Sequence, residues 1–549
     1  MFSPEIVRLT KHGGPLTKRI YLDETDAPKS DGSACVMSRG LAYRAPISCV
    51  GQLGAMIGSL QSDQAIALGT LRHGLSREIK IAAKRTIIGR TSTETIARTG
   101  ENIVFRAGSY GFALLDYDTK GMPPGVAERL HQEGGFWPAL VSIMPELASI
   151  ARVSRASTSA GLYRQDTGAP VPGSNGLHLY LAVRDTTDST RFLKTLHERC
   201  WLAGLGWMMV GGGGQLLERS IVDRMVGAPE RLVFEGAPIL IEPLAQDAEA
   251  RRPNITEGEW LDTKASCSPL TILEKARFAE LRRKAAHQLT GECAKAREEF
   301  IDHQADHLAK RSGMSRHAAK EVIVKQCKGV LLPAVVLPFD DPELEGKTVA
   351  DVLAHPAAFE GETLADPLEG VDYGRCKARI MRRADGTPWI NSFAHGRATY
   401  ELKLDATAIR AAMTKADAND VVIVLVDLLM EAAIAPSDEE SLIAYAKERS
   451  GVGMRAIQRQ LKKARAVHTG EKRKQERERH LAERDDPRPM LPVPVLDSPF
   501  LPVMDTANSV IGACKDPIPP PRDITRDAVS VRRHDIAGAH AFTTANQEL

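Results

Sequence analysis

The sequence has no C-x-x-C pair, no apolar stretch approaching 18 residues and no excess of charge of either sign. Its eight cysteines are scattered, at positions 35, 49, 200, 267, 293, 327, 376 and 514. That spacing argues against a disulfide framework and against an ordinary zinc site, and it fits a reducing compartment. The run VVIVLVDLLM at 421–430 is too short to span a bilayer and carries Asp427. The opening MFSPEIVRLTKHGG lacks the apolar core of a signal peptide, so a soluble, cytoplasmic protein with no membrane partner is expected. A formal net charge of +2 removes any global polyanion signal, so any basic surface must be local. No internal repeat is visible.

What is present is a chain of 549 residues with 43% apolar content, enough for about three or four domains. Residues 1 to about 100 read as mixed α/β. Within them SREIKIAAKRTIIGRTS is basic and suits either a nucleic-acid groove or a solvated face. Pro123 and Pro124 open a helix at about 125–132, and WPALVSIMPELASIA supplies another. TTDSTRFLKTLHERCWLA is a capped helix. GWMMVGGGGQLLERSIVDRMV reads as two strands around a glycine turn, with Asp223 on the second. Those glycines lack the Lys-Ser/Thr and the following helix of a phosphate-binding loop.

From about 246 the composition turns to Ala, Glu, Lys and Arg at helical spacing, giving a helical domain over 246–330. His303 and His307 lie four apart there, but without an H-E-x-x-H glutamate and among polar neighbours they read as a solvated face. Residues 331–405 form a small β module with ribbon rhythm, expected to be zinc-free because only Cys376 and His395 are available as ligands. Residues 406–486 form a helical basic segment. In it Arg455, Arg459, Lys462, Lys463 and Arg465 suit either phosphate contact or a solvated face. The Pro-rich remainder, 487–549, is expected to be disordered.

The chemistry concentrates in FALLDYD at 112–118. Four apolar residues lead into Asp116 and Asp118, and in a strand such a pair shares a face with Cα atoms roughly 6.5–7 Å apart. Hard carboxylate oxygens suit Mg²⁺ or Mn²⁺, provided a third acid arrives from elsewhere. LHLYLAV follows at 177–183, its alternation placing His178 and Tyr180 on one face, and SIVD then ends in Asp223. Each piece alone has an ordinary reading: a strand-end carboxylate pair, a core histidine, a charged strand terminus. Taken in order on three predicted strands, they supply what phosphoryl transfer asks of a protein, which is acids for metal and a donor for phosphate.

These three elements, LLDYD, GLH within SNGLHLY, and SIVD, resemble the motifs of archaeo-eukaryotic-type primases. Within that superfamily the likeness is to primase–helicase proteins of phages, plasmids and integrated elements. Further segments, PERLVFEGAPIL, DPLEGVDYGR and DGTPWINSFAHGRATYELK, resemble them more loosely. The resemblance implies an α+β fold, a primase-type catalytic domain with a mixed or antiparallel sheet flanked by helices. It makes 1–245 a primase-polymerase catalytic region, its core at about 100–245. It further implies that Asp116, Asp118 and Asp223 bind catalytic Mg²⁺ or Mn²⁺ and that His178 contacts the phosphates of an incoming nucleoside triphosphate. One departure is Gly176, where related enzymes often have serine before the histidine; Ser174, Ser157 or Ser159 is then left to supply the hydroxyl. Arg155, Arg224 and Arg231 are candidate phosphate or template contacts, and equally candidate ion-pair residues. The sequence holds no G-x-x-x-x-G-K-[ST], so either a separate replicative helicase is a partner or this is the primase half of a longer ancestor.

The expected activity is template-dependent synthesis of primers on single-stranded DNA in the replication of a mobile element. The alternative is a catalytically inactive DNA-binding replication factor on the same fold. A nicking initiator ranks below both, because only His178 and Tyr180 stand together where paired histidines near a tyrosine are needed.

Overall fold

The computed structural model describes residues 4–87, 94–173, 175–383, 385–394 and 399–482. Ser174, His395, Cys514 and the Pro-rich stretch lie outside the described residues. The fold is α+β, about 40% helix and 23% strand, with mixed and antiparallel sheets flanked by helices. No helix among the described residues is long and apolar enough to cross a membrane. The chain divides into one compact unit, Met1–Met454, and a second, Arg455–Leu549.

The site is positioned by a four-stranded antiparallel sheet in the order Gly111–Tyr117, Leu177–Val183, Arg152–Ala156, Asn254–Thr256. Its two longest strands are continuous apolar runs, and both are buried over that run. Burying a side chain such as Phe112, Leu115 or Leu181 contributes about 1.5–3 kcal/mol, which sets the register by matching apolar run to apolar run. The polar ends of both strands therefore emerge together, with Asp116 directly opposite His178. Helix Val50–Ser59 and helix Ser189–Leu202 cover this sheet, sharing one core with it through residues such as Leu53, Ile57, Phe192 and Leu196. Pro124 starts helix Pro124–Gln132, and Pro145 converts the end of the next helix, Phe136–Ile143, into a 3₁₀ turn.

A five-stranded sheet near the N-terminus, with Glu5–Lys11 and Arg39–Pro46 at its centre, has a core of its own that includes Val7, Leu9 and Ile79. The sheet of the site reaches past the expected boundary at 245, because Asn254–Thr256 is its edge strand and Leu261 and Cys267 belong to its core. The helical stretch expected as a domain at 246–330 shares its packing between two bodies. Helix Ile272–Gln288 docks on the first core through Phe278 against Trp201. By contrast Leu308 and helix Arg316–Cys327 are built into the core of the β module. That module is a five-stranded sheet with Ala378–Arg382, Pro388–Ser392 and Thr399–Leu402 as its adjacent central strands. Arg85 ties it to the N-terminal region through Asp341 and Glu362, at 2.6 and 2.8 Å. Burial pushes the Cys376 thiol up to about 12. His303 and His307 are exposed on helix Thr290–Ser312.

In the second unit, helix Met454–Ala482 has Ile457 and Leu461 buried one turn apart, while Arg455, Arg459, Lys462, Lys463 and Arg465 are exposed.

Candidate active site

Asp116 is the penultimate residue of its strand and Asp118 lies one residue beyond the strand's end. Tyr117 between them turns to the opposite face and stacks on Phe136 at 4.5 Å. Asp223 reaches them from outside the sheet. Its hairpin, Gly206–Val210 with Leu216–Ser220, forms a separate two-stranded sheet, and Asp223 lies three residues past the hairpin's end rather than on its second strand, as expected from the sequence. The Asp223 backbone N–H donates to the Asp116 carbonyl at 3.2 Å, which brings the third acid to the first two. All three aspartates line one cleft of about 540 Å³, open to solvent, together with Lys120, Arg219 and Lys377.

Each acid already has local work. Asp118 accepts the Lys120 N–H at 2.9 Å and faces Arg219 at 3.8 Å. Asp223 accepts the Met225 N–H at 2.7 Å. Among the described residues no three carboxylate, imidazole or thiol groups are gathered tightly enough to hold an ion as they stand. Like charges without a cation between them separate, and here cations are at hand to separate them. The donor set itself, three carboxylates lining one cleft, fits a hard divalent cation.

His178 sits across from Asp116, its Nε2 3.7 Å from Asp116 Oδ1, and about a fifth of its side chain is exposed. Its Nδ1 meets Glu235 Oε1 at 2.5 Å, and Tyr180 O–H donates to the same oxygen at 2.6 Å. The shared face expected for His178 and Tyr180 is thus a shared partner. Burial disfavours the imidazolium, but the adjacent Glu235 carboxylate outweighs it and raises the His178 pKa. The reciprocal holds for Glu235: burial alone would raise its carboxyl, yet His178, Tyr180 and Arg155 hold it below the usual range.

The candidate arginines divide by burial. Arg155 stands opposite His178 on the third strand but is buried, donating to the Ile57 and Arg251 carbonyls and pairing with Glu235 at 3.5 Å. It is a support beneath the histidine and not a phosphate contact, because its guanidinium points into the core. Arg224 pairs with the buried Glu218 at 2.6 Å. Arg231 donates to the Met225 carbonyl and lines a neighbouring apolar pocket with Phe112 and Val226. Ser157 and Ser159 lie in the turn after the third strand, their hydroxyls 3.3 Å apart, and the Ser157 N–H donates to Gly176 at the entrance to the histidine strand. Ser174 falls outside the described residues.

Arg219, Lys120, Lys377 and Tyr373 line the cleft and Glu235 lies behind His178, and none of the five was a candidate from the sequence. Glu235 stands inside PERLVFEGAPIL, where a lone acid in an apolar run is a signal for a buried charge that needs partners. Tyr373 and Lys377 come from the β module, Tyr373 within DPLEGVDYGR and Lys377 two residues beyond it, with nothing local to place them at this cleft. The four glycines 211–214 also find their reason here: a Cβ on Gly211 would collide with the Glu369 carboxylate, which accepts the Gly212 N–H at 3.0 Å. Comparison of the chain with protein-family models, with curated protein sequences and with solved structures finds no match.

Proposed function

We propose that the chain is a template-dependent nucleotidyltransferase, a primase or primase-polymerase that makes primers on single-stranded DNA for the replication of a mobile element. The observation that carries this reading is the convergence of Asp116, Asp118 and Asp223 on one open cleft beside His178. Asp116, Asp118 and Asp223 would hold Mg²⁺ or Mn²⁺. Such an ion neutralises charge on the reacting phosphoryl group and lowers the pKa of the attacking hydroxyl.

The chain's own residues do the rest. Glu235 orients the His178 ring through Nδ1 and favours its charged form, so that Nε2–H is presented toward the cleft as a donor to a phosphate oxygen. Arg155 and Arg251, at 3.5 and 3.7 Å from Glu235, keep that carboxylate ionised in the core. Nucleoside triphosphates and a single-stranded template are the implied substrates.

The test is labelled nucleotide incorporation on a single-stranded template with Mg²⁺ or Mn²⁺, run separately with NTPs and dNTPs. Incorporation is expected for the native protein and should vanish in Asp116→Ala/Asp118→Ala. Survival of synthesis in that double variant removes the enzyme reading and leaves the DNA-binding factor.

A further inference from the structure

Three cations from three parts of the chain surround one ring. Lys120 Nζ, Lys377 Nζ and the Arg219 guanidinium lie 5.4, 5.6 and 5.7 Å from the centroid of Tyr373. Arg219 also donates to the Tyr373 hydroxyl at 2.9 Å, which leaves the phenol proton to be given elsewhere. The Arg219 Nε is buried without a hydrogen-bond partner among the described residues. Gathering like charges is unfavourable, and one aromatic ring offsets only part of it.

The position of this cluster is held by design of the fold rather than by the cluster itself. Tyr373 ends the short helix Gly370–Tyr373, which follows Glu369, and Glu369 is seated on the glycine turn of the very hairpin that carries Arg219. Gly374, at φ 142°, lets the chain turn toward Lys377, and a Cβ there would press on the Lys377 side chain at 3.0 Å. All these residues lie within the unit Met1–Met454.

The charges in the cleft count as three carboxylates against three cations. They balance only while the acids have no metal. Once a divalent ion is held, the cleft carries net positive charge and calls for a compact polyanion beside the acids. A nucleic-acid backbone offers one charge per phosphate, spread along the strand. A triphosphate tail concentrates several within the reach of three cations.

Building on the nucleotidyltransferase reading, we propose that Lys120, Arg219, Lys377 and Tyr373 form the subsite for the β- and γ-phosphates of the incoming nucleotide, so that the β module supplies half of it. Lys120 and Lys377 give point charges, Arg219 a fixed fork of donors, and Tyr373 both a platform for the cations and an O–H donor. Burial pushes the Tyr373 phenol up to about 12, so its proton stays in place at neutral pH.

The experiment measures binding of tripolyphosphate, of Mg²⁺–dNTP and of a labelled single-stranded oligonucleotide to the full chain, with no turnover required. Lys377→Met is expected to weaken tripolyphosphate and Mg²⁺–dNTP binding by roughly tenfold to a hundredfold, the range for a lost charge-assisted hydrogen bond, with oligonucleotide binding unchanged. Lys377→Arg should restore most of it. If Lys377→Met does not fold, as read by circular dichroism, the exposed Lys120→Met decides the question with the same expected loss. Unchanged tripolyphosphate binding in folded variants overturns the subsite, as does a loss confined to the oligonucleotide, which would assign the cations to backbone phosphate. The two proposals fail separately: absent incorporation by the native chain with intact lysine-dependent tripolyphosphate binding removes only the polymerase reading.

Discussion

Two buried histidine–glutamate pairs lie in the same part of the molecule and have opposite characters. His178 and Glu235 meet at 2.5 Å, His197 and Glu218 at 2.8 Å, and both carboxylates are almost wholly buried. His197 is sealed: its Nε2 faces Glu218 and its Nδ1 lies 2.9 Å from Ser220 Oγ, whose proton goes to the Val222 carbonyl. His178 is only partly enclosed: its second nitrogen lies 3.7 Å from Asp116 Oδ1, beside the cleft that Asp116 lines. Glu218 collects further cations, Arg224 at 2.6 Å and Arg282 at 2.5 Å, and so joins helix Ile272–Gln288 to the hairpin. Glu235 draws its own arginines from within the core. The contrast teaches that a buried ion pair is a clamp when every donor is consumed and a presenting device when one is left over.

The largest expected effect breaks the clamp. Glu218→Ala strands His197 and two arginines, and removal of one member of a buried ion cluster costs on the order of 3–5 kcal/mol. Urea unfolding followed by circular dichroism measures it; a loss under about 1 kcal/mol would show that Glu218 holds nothing together. The same pair should fail in acid. Burial opposes ionisation of Glu218, but His197, Arg224 and Arg282 outweigh it and hold its pKa at about 2. Its stabilisation is therefore present above the ordinary carboxylate range and lost as pH falls toward 2.

Next in size is the presenting pair. His178→Ala should lower kcat for nucleotide incorporation by roughly 10²–10³, as for loss of a preorganised donor at a site of developing charge. Thermal stability should change far less than in Glu218→Ala. A variant that loses stability but keeps its rate would place His178 with His197, as a packing residue.

The smallest effect is the sharpest discriminator. With a raised folded-state pKa, His178 contributes stability that is full below its unfolded value and lost as pH rises through the folded one. Activity that needs its charged form falls along the same limb. Glu235→Gln removes the charge that raises it, so the alkaline limb of the pH–rate profile should move to lower pH. An NMR titration of the His178 ring reads the same shift without turnover; an unmoved midpoint contradicts the role given to Glu235.

Much of the local architecture was legible. The apolar run ending at Asp116, the common face of His178 and Tyr180, and the helix opened by Pro124 all follow from periodicity and backbone chemistry acting within a few residues. Asp223 was legible as a residue but not as a placement, since its approach depends on a hairpin outside the main sheet. Arg155 stayed open between phosphate contact and ion-pair residue because sequence shows its charge and not its direction. A positive side chain on a strand looks the same whether its partner is solvent or a buried glutamate eighty residues later. Tyr373 lay inside the singled-out DPLEGVDYGR but, like Lys377 just after it, gave no sign of its place, for both reach the cleft through the docking of Glu369 on a glycine turn.

The amino-acid order by itself determined the apolar strands and capped helices around the site, and that Asp116, Asp118 and His178 sit at the polar ends of apolar runs, because side-chain period and hydrophobic burial are local rules. Only the tertiary structure decided which charges are consumed and which are offered to the cleft. That choice is made by long-range contacts, where burial makes every unpaired charge costly and so forces each one to a partner or to the open surface.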